Sequence, residues 1–392
     1  MLVHRLPFPP NKGDKIRSFN VLAHLARSHD VTLGCLVDDP DDLRHLPALA
    51  EHATAVGHAR IDGVTRRAAS LAAVLASRPV SVAHFHHAAL QAQVDAWIDE
   101  RPFDAVLCCS AVMAEYVFRS RHRHASLART VRVMDLIDVD SRKWAQYAQV
   151  AAPWSRWLYR HEARTLGDYE QRIVASFDRV FLVSASEARL LGPSAHVGHV
   201  GAFSNGVDLA YFTPRAPAGD PSTLVFTGVM DYRPNIDAVE WFAREVLPRL
   251  RELRPDVRFA IVGSRPAARV RKLSSLEGVT VTGFVADVRD WLARAAVCVA
   301  PLRIARGVQN KVLEAMAMGR PVVASPQAHE GIEAAPGRDL LVAADAQGFA
   351  DAVRLLLDDR PRAAAIGAAA RACVERHYRW DANLAVLDGV FA

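Results

Sequence analysis

Near-continuous apolar runs recur along this chain, and they limit its architecture more than any other feature. They stand at residues 31–37 (VTLGCLV), 103–110 (FDAVLCCS), 130–137 (TVRVMDLI), 178–185 (DRVFLVSA), 222–229 (STLVFTGV), 257–264 (VRFAIVGS), 279–284 (VTVTGF), 297–302 (VCVAPL) and 321–325 (PVVAS), with helical patterns between them. A strand that is apolar on both sides of its pleat has to be covered on both faces, and parallel neighbours need long crossover connections. The pattern predicts an α/β fold with parallel sheets and helices on both faces. Residues 211–222 (YFTPRAPAGDPS) carry prolines and a glycine without apolar periodicity and read as a linker. Each side of it has its own strand–helix series, so two Rossmann-like domains facing a cleft are expected. Ligands in open α/β sheets lie beyond the carboxyl ends of the strands, which puts the expected site between the domains.

Composition agrees with a two-domain globular chain: 392 residues, 51% of them hydrophobic, are too many for one ordinary core. The net charge of +5 suits anionic ligands such as nucleotides, phosphates or lipid head groups, and is too small to argue for nucleic acid. Cys35, Cys108, Cys109, Cys298 and Cys373 are odd in number, lack CxxC spacing and mostly lie in apolar runs. They read as reduced core thiols of a cytosolic protein. No run reaches the roughly 18 to 20 apolar residues of a membrane span, and the start lacks the pattern of a signal peptide. A soluble or peripheral protein is the expectation.

The chemistry concentrates after residues 297–302. There Arg306, Gly307, Val308, Gln309 and Asn310 lead into the helical stretch KVLEAMAM. Exposed amides at a helix start, aided by the helix dipole, form a phosphate site. Gly307 lets the backbone approach closely, Lys311 adds a point charge, and Glu314 stands one turn in, where a carboxylate can accept hydrogen bonds from a ribose diol. The alternative is that Lys311 and Glu314 are ordinary solvated helix residues.

The company these residues keep carries a resemblance. SNGVD (204–208), YFTP, LVFTGVMDYRPN, FAIVG, VTVTGFVADVRDWLARAAVCVAPL and GVQNKVLEAMAMGRPVVAS follow one another over roughly residues 200–380. Together they resemble the donor-binding half of GT-B glycosyltransferases of the family 4 type. The resemblance implies that residues 281–285, with Gly283 and Phe284, lie against the nucleotide base and that Glu314 binds the ribose. It also implies that Gly307, Val308, Gln309 and Asn310 meet the diphosphate and sugar, and that the loop with Gly228, Val229 and Met230 faces the phosphates. Two positions depart from the family pattern. Arg306 stands where retaining members carry a glutamate eight residues before the ribose one, and the nearest cation after the first strand of this half is Arg233, displaced by a few residues. Arg306, Lys311 or Arg233 is then expected to stabilise the leaving diphosphate.

On this resemblance, residues 1–212 form the acceptor-side domain, 213–375 the donor domain, and 376–392, with HYRWDANLAVLDGVF, a last helix that crosses back to the first domain. The opening reads as a short strand, a polar loop with Gly13, an amphipathic helix and a second strand. FPPNKGDKIRS resembles the sugar-transferase subgroup of bacterial exopolysaccharide and exosortase (PEP-CTERM) systems, which makes Gly13, Asp14, Lys15 and Arg17 cleft candidates. A solvated turn with helix-capping charges is the plainer reading. Only residues 1–4 remain for the first strand, so fraying there and a start internal to a longer chain are expected.

In MDLIDVDSRKW, Asp135 or Asp138 at the end of a buried strand is the candidate general base for an acceptor hydroxyl, with caps and loop carboxylates as the alternative. VDDPDD (37–42) looks like a metal cluster but reads better as a proline-broken surface loop, since the resemblance implies no bound metal. In HFHHAAL (84–90), an extended segment would put His84 and His86 on one face, yet no ligand partner follows at metal spacing; an acceptor role is preferred. APWSRWLYRHEARTL mixes Trp154, Trp157 and Tyr159 with Arg156 and Arg160, as a segment at a membrane surface or a packing helix does.

The expectation is a metal-independent GT-B hexosyltransferase of the cytoplasm, peripheral at the cytoplasmic face of the inner membrane. It would move a sugar, with retention, from a nucleotide-diphosphate co-substrate to a saccharide or lipid-linked acceptor in exopolysaccharide or other cell-surface assembly. No further cofactor and no nucleic-acid partner is expected. A nucleotide-sugar 2-epimerase and a non-catalytic nucleotide-sugar-binding subunit are the alternatives.

Overall fold

The computed structural model describes residues 1–61, 63–192, 198–215 and 221–391, so residues 216–220 of the expected linker lie outside the described residues. The chain divides into two compact units, Met1–Phe203 with Leu384–Ala392, and Ser204–Asn383.

The first unit is built on seven parallel strands: β1 (Leu2–Val3), β2 (Thr32–Val37), β3 (Ala55–Arg60), β4 (Ala105–Cys109), β5 (Val131–Ile137), β6 (Arg179–Leu182) and β7 (Val200–Ala202). Their spatial order is β3-β2-β1-β4-β5-β6-β7. The winding reverses between β1 and β4, as in a doubly wound sheet. The second unit has six: β8 (Thr223–Thr227), β9 (Arg258–Val262), β10 (Val279–Gly283), β11 (Val297–Ala300), β12 (Val322–Ala324) and β13 (Leu341–Val342), in the order β10-β9-β8-β11-β12-β13. Here the reversal falls between β8 and β11, so the loops after these two strands frame the point where an open sheet offers a crevice.

All nine apolar runs became strands, each trimmed by a residue or more at its ends. Three strands carried too weak a pattern to be read: β3 alternates on an edge, and β7 and β13 are short edge strands. The expected fraying of the first strand is corrected. β1 is only two residues long, but it pairs on both sides with β2 and β4, both residues are buried, and the Met1 amino group donates to the Thr32 carbonyl at 2.7 Å. The extended reading of 84–90 is corrected as well. His84 lies in the helix Val80–Phe85, and His87 caps the helix Ala88–Glu100 by accepting from the Ala89 amide. His86 stacks on Tyr116.

All five cysteines are free and buried, and burial pushes the thiols of Cys35, Cys108 and Cys298 up to about 12. Among the described residues no helix is long and apolar enough to cross a membrane, and no group of three metal-ligating side chains comes together.

Candidate functional site

In the second unit, the loops after β8 and β11 converge on one side chain. Lys311 lies in the first turn of the helix Asn310–Ala317, and its Nζ donates to Asn235 Oδ1 at 2.5 Å. Asn235 in turn donates from Nδ2 to the Val229 carbonyl at 2.9 Å, which fixes the loop after β8. A Cβ on Gly228, whose φ is +156°, would stand 2.7 Å from Asn235 Nδ2 and 3.3 Å from Lys311 Nζ. A Cβ on Gly263, after β9, would stand 1.7 Å from the Gly228 carbonyl oxygen. Glycine is therefore required at both strand ends, one for the approach of the lysine and one for the approach of the neighbouring loop.

The helix start itself is open. Gln309 occupies the N-cap with no side-chain cap bond, and instead donates from Nε2 to the Arg306 carbonyl at 2.8 Å. Gly307 has φ +61°, and its carbonyl lies 2.5 Å from where a Cβ on Gly331 would be. This close packing holds the loop 307–310 in the turn that precedes the helix. Asn310 accepts from Asn205 at 2.9 Å, while its Nδ2 is buried with no partner among the described residues. Amides at an uncapped helix start, a lysine and a free amide donor form an arrangement that accepts anionic oxygens.

Lys311 and Glu314 are both half-buried and lean toward their neutral forms. Desolvation brings Lys311 down to about 7, with Glu314 opposing the shift. Desolvation likewise brings Glu314 up to about 7, opposed by Lys311. A bound diphosphate would restore the ammonium charge. Val308 lies in the same loop; Val229 holds Asn235 through its carbonyl; Arg233 opens the helix Arg233–Trp241 that carries Asn235. Arg306 is paired with Glu330 at 3.3 Å. At the end of β10, Gly283 takes φ +70° and Phe284 is 80% exposed, a free aromatic face next to a bulge in the strand.

In the first unit, Gly13 opens the helix Gly13–Leu25 and the charges after it are engaged. Asp14 accepts from His4 at 3.0 Å and from Arg5. Burial would raise its carboxyl, but the contacts with His4 and the Arg5 guanidinium hold it well below the usual range. Lys15, 1% exposed, pairs with Asp42 at 2.5 Å, so the loop 37–42 supplies a buried counter-ion and not only surface carboxylates. Arg17 is fully buried. It grips Asp135 with two hydrogen bonds of 2.7 and 2.9 Å, donates to the Phe203 carbonyl at 3.1 Å and lies 3.8 Å over the Phe203 ring.

Asp135 and Asp138 thus differ. Asp135 Oδ1 also accepts from the Ile137 amide at 3.2 Å, and the residue is 1% exposed. Asp138 is half-buried, and its Oδ1 has no partner among the described residues. Desolvation first, and then Glu187 and Asp140, bring its carboxyl up to about 7. Between them Ile137 takes φ +70°, a costly conformation for a β-branched residue, and the Asp138 amide closes a turn onto the Leu136 carbonyl at 3.0 Å. That kink, at a bulge between β5 and β6, turns Asp138 away from the strand direction. Sequence reasoning missed Asn235, Asn205, Glu187 and the Ile137 kink. The two asparagines lay within the quoted segments MDYRPN and SNGVD, whereas no local signal marked the other two.

Comparison with known proteins places this geometry. Residues 221–359, within the second unit, match the family model described as Glycosyl transferases group 1. The chain is 30% identical over 197 residues to the GDP-mannose-dependent monoacylated alpha-(1-6)-phosphatidylinositol monomannoside mannosyltransferase of Corynebacterium glutamicum, covering 45% of this chain and 52% of that protein. The chain spans about half the length of the curated relatives it matches. Sucrose-phosphate synthase from Thermosynechococcus elongatus superposes with a TM-score of 0.73 at 19% identity, covering 100% of this chain and 98% of that one. Anabaena HepE, solved with UDP and glucose, superposes with a TM-score of 0.68 at 15% identity over 99% and 97% of the two chains. The fold is that of GT-B glycosyltransferases, two α/β units with parallel sheets.

Proposed function

We propose that the chain is a hexosyltransferase that takes a sugar from a nucleotide-diphosphate donor and passes it to a saccharide or lipid-linked acceptor in exopolysaccharide or other cell-surface assembly, with retention at the anomeric carbon. The observation that carries this reading is the convergence of Gly228, Asn235 and Lys311 on the uncapped helix start at 307–310, with Glu314 one turn further in. The matches to a mannosyltransferase acting on a phosphatidylinositol mannoside and to a structure holding UDP and glucose support the donor and acceptor classes.

In this reading the helix-start amides and Lys311 take the charge that develops on the diphosphate as its bond to the anomeric carbon breaks. Glu314 accepts from the ribose hydroxyls, and the face of Phe284 stacks on the base. Arg233 and Arg306 add positive charge near the phosphates, and Gly13, Asp14 and Lys15, in the first turn of the helix Gly13–Leu25, are the donor-side candidates of the first unit. Asp138, held near neutral pH, removes the acceptor hydroxyl's proton, while Asp135 anchors Arg17 beneath it. The reaction needs no bound metal. The exposed Trp154 and Trp157 suit a peripheral position at the cytoplasmic face of the inner membrane.

Incubation with a panel of UDP-, GDP- and ADP-sugars tests the reading. Slow hydrolysis of one donor is expected, together with loss of nucleotide binding in Lys311→Ala and Glu314→Ala. Binding without turnover would favour a non-catalytic nucleotide-sugar subunit, a reading to which Arg306 in its ion pair with Glu330 lends weight. Unchanged nucleotide binding in both variants would place the site elsewhere.

A further inference from the structure

The first unit contains a cavity of about 760 Å³ that the donor-site reading does not use. It opens between the helices Asp140–Val150 and Pro153–Ser176, with Leu190 and Leu191 closing one side. Four arginines line it: Arg142 from the first helix, and Arg156, Arg160 and Arg164 at i, i+4 spacing along one face of the second. Small residues make the space. Ala145, Ala163 and Gly167 line the walls, and a Cβ on Gly167 would lie 3.6 Å from that of Ser141, which sets how closely the helices approach.

Among the described residues, the arginine charges in this cavity are not balanced by ion pairs. Arg160 and Arg164 make no hydrogen bond or ion pair among the described residues. Arg156 donates only to the Ala151 carbonyl, at 3.3 Å, and its Nε is buried without a partner. Arg142 donates to the Leu190 carbonyl at 3.2 Å. The one carboxylate in the lining, Glu170, is already bound by the Ser141 amide and hydroxyl, and its desolvation brings it up to about 7. Arginines spaced i, i+4 repel one another along a helix, and an anion held between them relieves that repulsion. Guanidinium groups presented in a row along one wall of a cavity fit the several oxygens of a phosphate group by paired hydrogen bonds.

We propose that this cavity is a second anion site, which binds a phosphate-bearing group through Arg156, Arg160 and Arg164. It is separate from the donor site and does not depend on the reading of that site. The phosphate can reach it free in solution or carried on a lipid. Trp154 and Trp157, 81% and 58% exposed on the first turn of the same helix, stand where a lipid surface would receive them in the second case.

The test maps phenylglyoxal modification of individual arginines in the full chain by peptide mass spectrometry. It compares no addition, inorganic pyrophosphate, phosphatidylcholine vesicles, and phosphatidylcholine vesicles containing phosphatidic acid. The expected result is modification of Arg160 and Arg164 slowed about tenfold by a phosphate ligand, as charge-assisted bidentate contacts require, with the exposed Arg244 modified at an unchanged rate. Protection by pyrophosphate supports the site with a free ligand. Protection by phosphatidic acid vesicles alone supports it with a lipid-borne one, and Trp154→Ala with Trp157→Ala then weakens vesicle binding. No protection by either probe, or equal slowing at Arg244, overturns the proposal. So does binding of the protecting probe that is unchanged in the Arg160→Gln, Arg164→Gln variant. Both of those side chains are exposed, so their replacement leaves the packing intact, and the mapping of the unaltered chain needs no variant.

Discussion

Asp135→Asn separates the two carboxylates at the end of β5. The substitution keeps the shape of the side chain but removes the charge that faces a fully buried guanidinium. Arg17 retains its bond to the Phe203 carbonyl and its contact with the Phe203 ring, neither of which neutralises it. Removing one partner of a buried pair costs about 3–5 kcal/mol, because the remaining charge stays desolvated. For a unit of this size each kcal/mol lowers the midpoint by about 2–4 °C, so the transition of the first unit should fall by roughly 6–20 °C. Replacing both partners with apolar residues, Arg17→Met with Asp135→Leu, should recover most of the loss. The assay is calorimetry of each variant, paired with donor-to-acceptor transfer measured at low temperature where the variant is still folded. With Asp138 proposed as the base, Asp135→Asn should then keep its rate to within about tenfold, whereas loss of a general base costs about 10²–10⁴. An unchanged melting profile with a rate loss of that size would refute the assignment and make Asp135 the catalytic carboxylate.

Asp138→Asn should do the reverse, lowering the transfer rate by about 10²–10⁴ while the fold holds. Asp138 has its folded pKa raised from 3.8 to about 7, so the folded state keeps a proton the unfolded chain has lost. Its contribution to stability falls as pH rises through that window, and above pH 7 the asparagine variant should be the more stable by about 1–3 kcal/mol in denaturant titrations. Lys311→Met should weaken nucleoside-diphosphate binding by about 10- to 100-fold, read by calorimetric titration. Lys311 has its folded pKa lowered from 10.5 to about 7, so its contribution to stability rises with pH between those values. Recharging Lys311 means that diphosphate binding at pH 8 should take up close to a proton, seen as a binding heat that varies with the buffer's ionisation enthalpy; a buffer-independent heat would contradict it. Gly228→Ala should abolish nucleotide binding with a smaller effect on stability, because its Cβ would displace Asn235 and Lys311. Retained affinity in a nucleotide titration would show that the loop after β8 does not form the phosphate site.

The architecture was legible because burial on both faces leaves a direct trace: uninterrupted apolar runs with helices between them can close only as parallel α/β sheets. The loop 307–310 and the helix start after it were legible for a related reason. A glycine at a positive φ and the opening of a helix are local events, so Gly307, Asn310, Lys311 and Glu314 could be read from their own neighbours in sequence. The edge strands β3, β7 and β13 left weaker traces, since they are short or alternate against solvent.

What the chain could not show by itself is which charge faces which. Arg17 and Asp135 are 118 positions apart, and Lys311 and Asn235 are 76 apart. Whether an aspartate is a counter-ion or a base depends on whether folding brings a guanidinium to it. Asp135 received Arg17, while Asp138, three residues on and past the Ile137 kink, has an Oδ1 with no hydrogen-bond partner among the described residues and a carboxyl raised by burial and by Glu187. Sequence determined the sheets, the crossovers and the glycine turn before the helix Asn310–Ala317, all of them products of local geometry and apolar periodicity. Tertiary structure alone decided the raised carboxyls of Asp138 and Glu314 and the lowered ammonium of Lys311, because desolvation and pairing are properties of the folded neighbourhood and not of the residue.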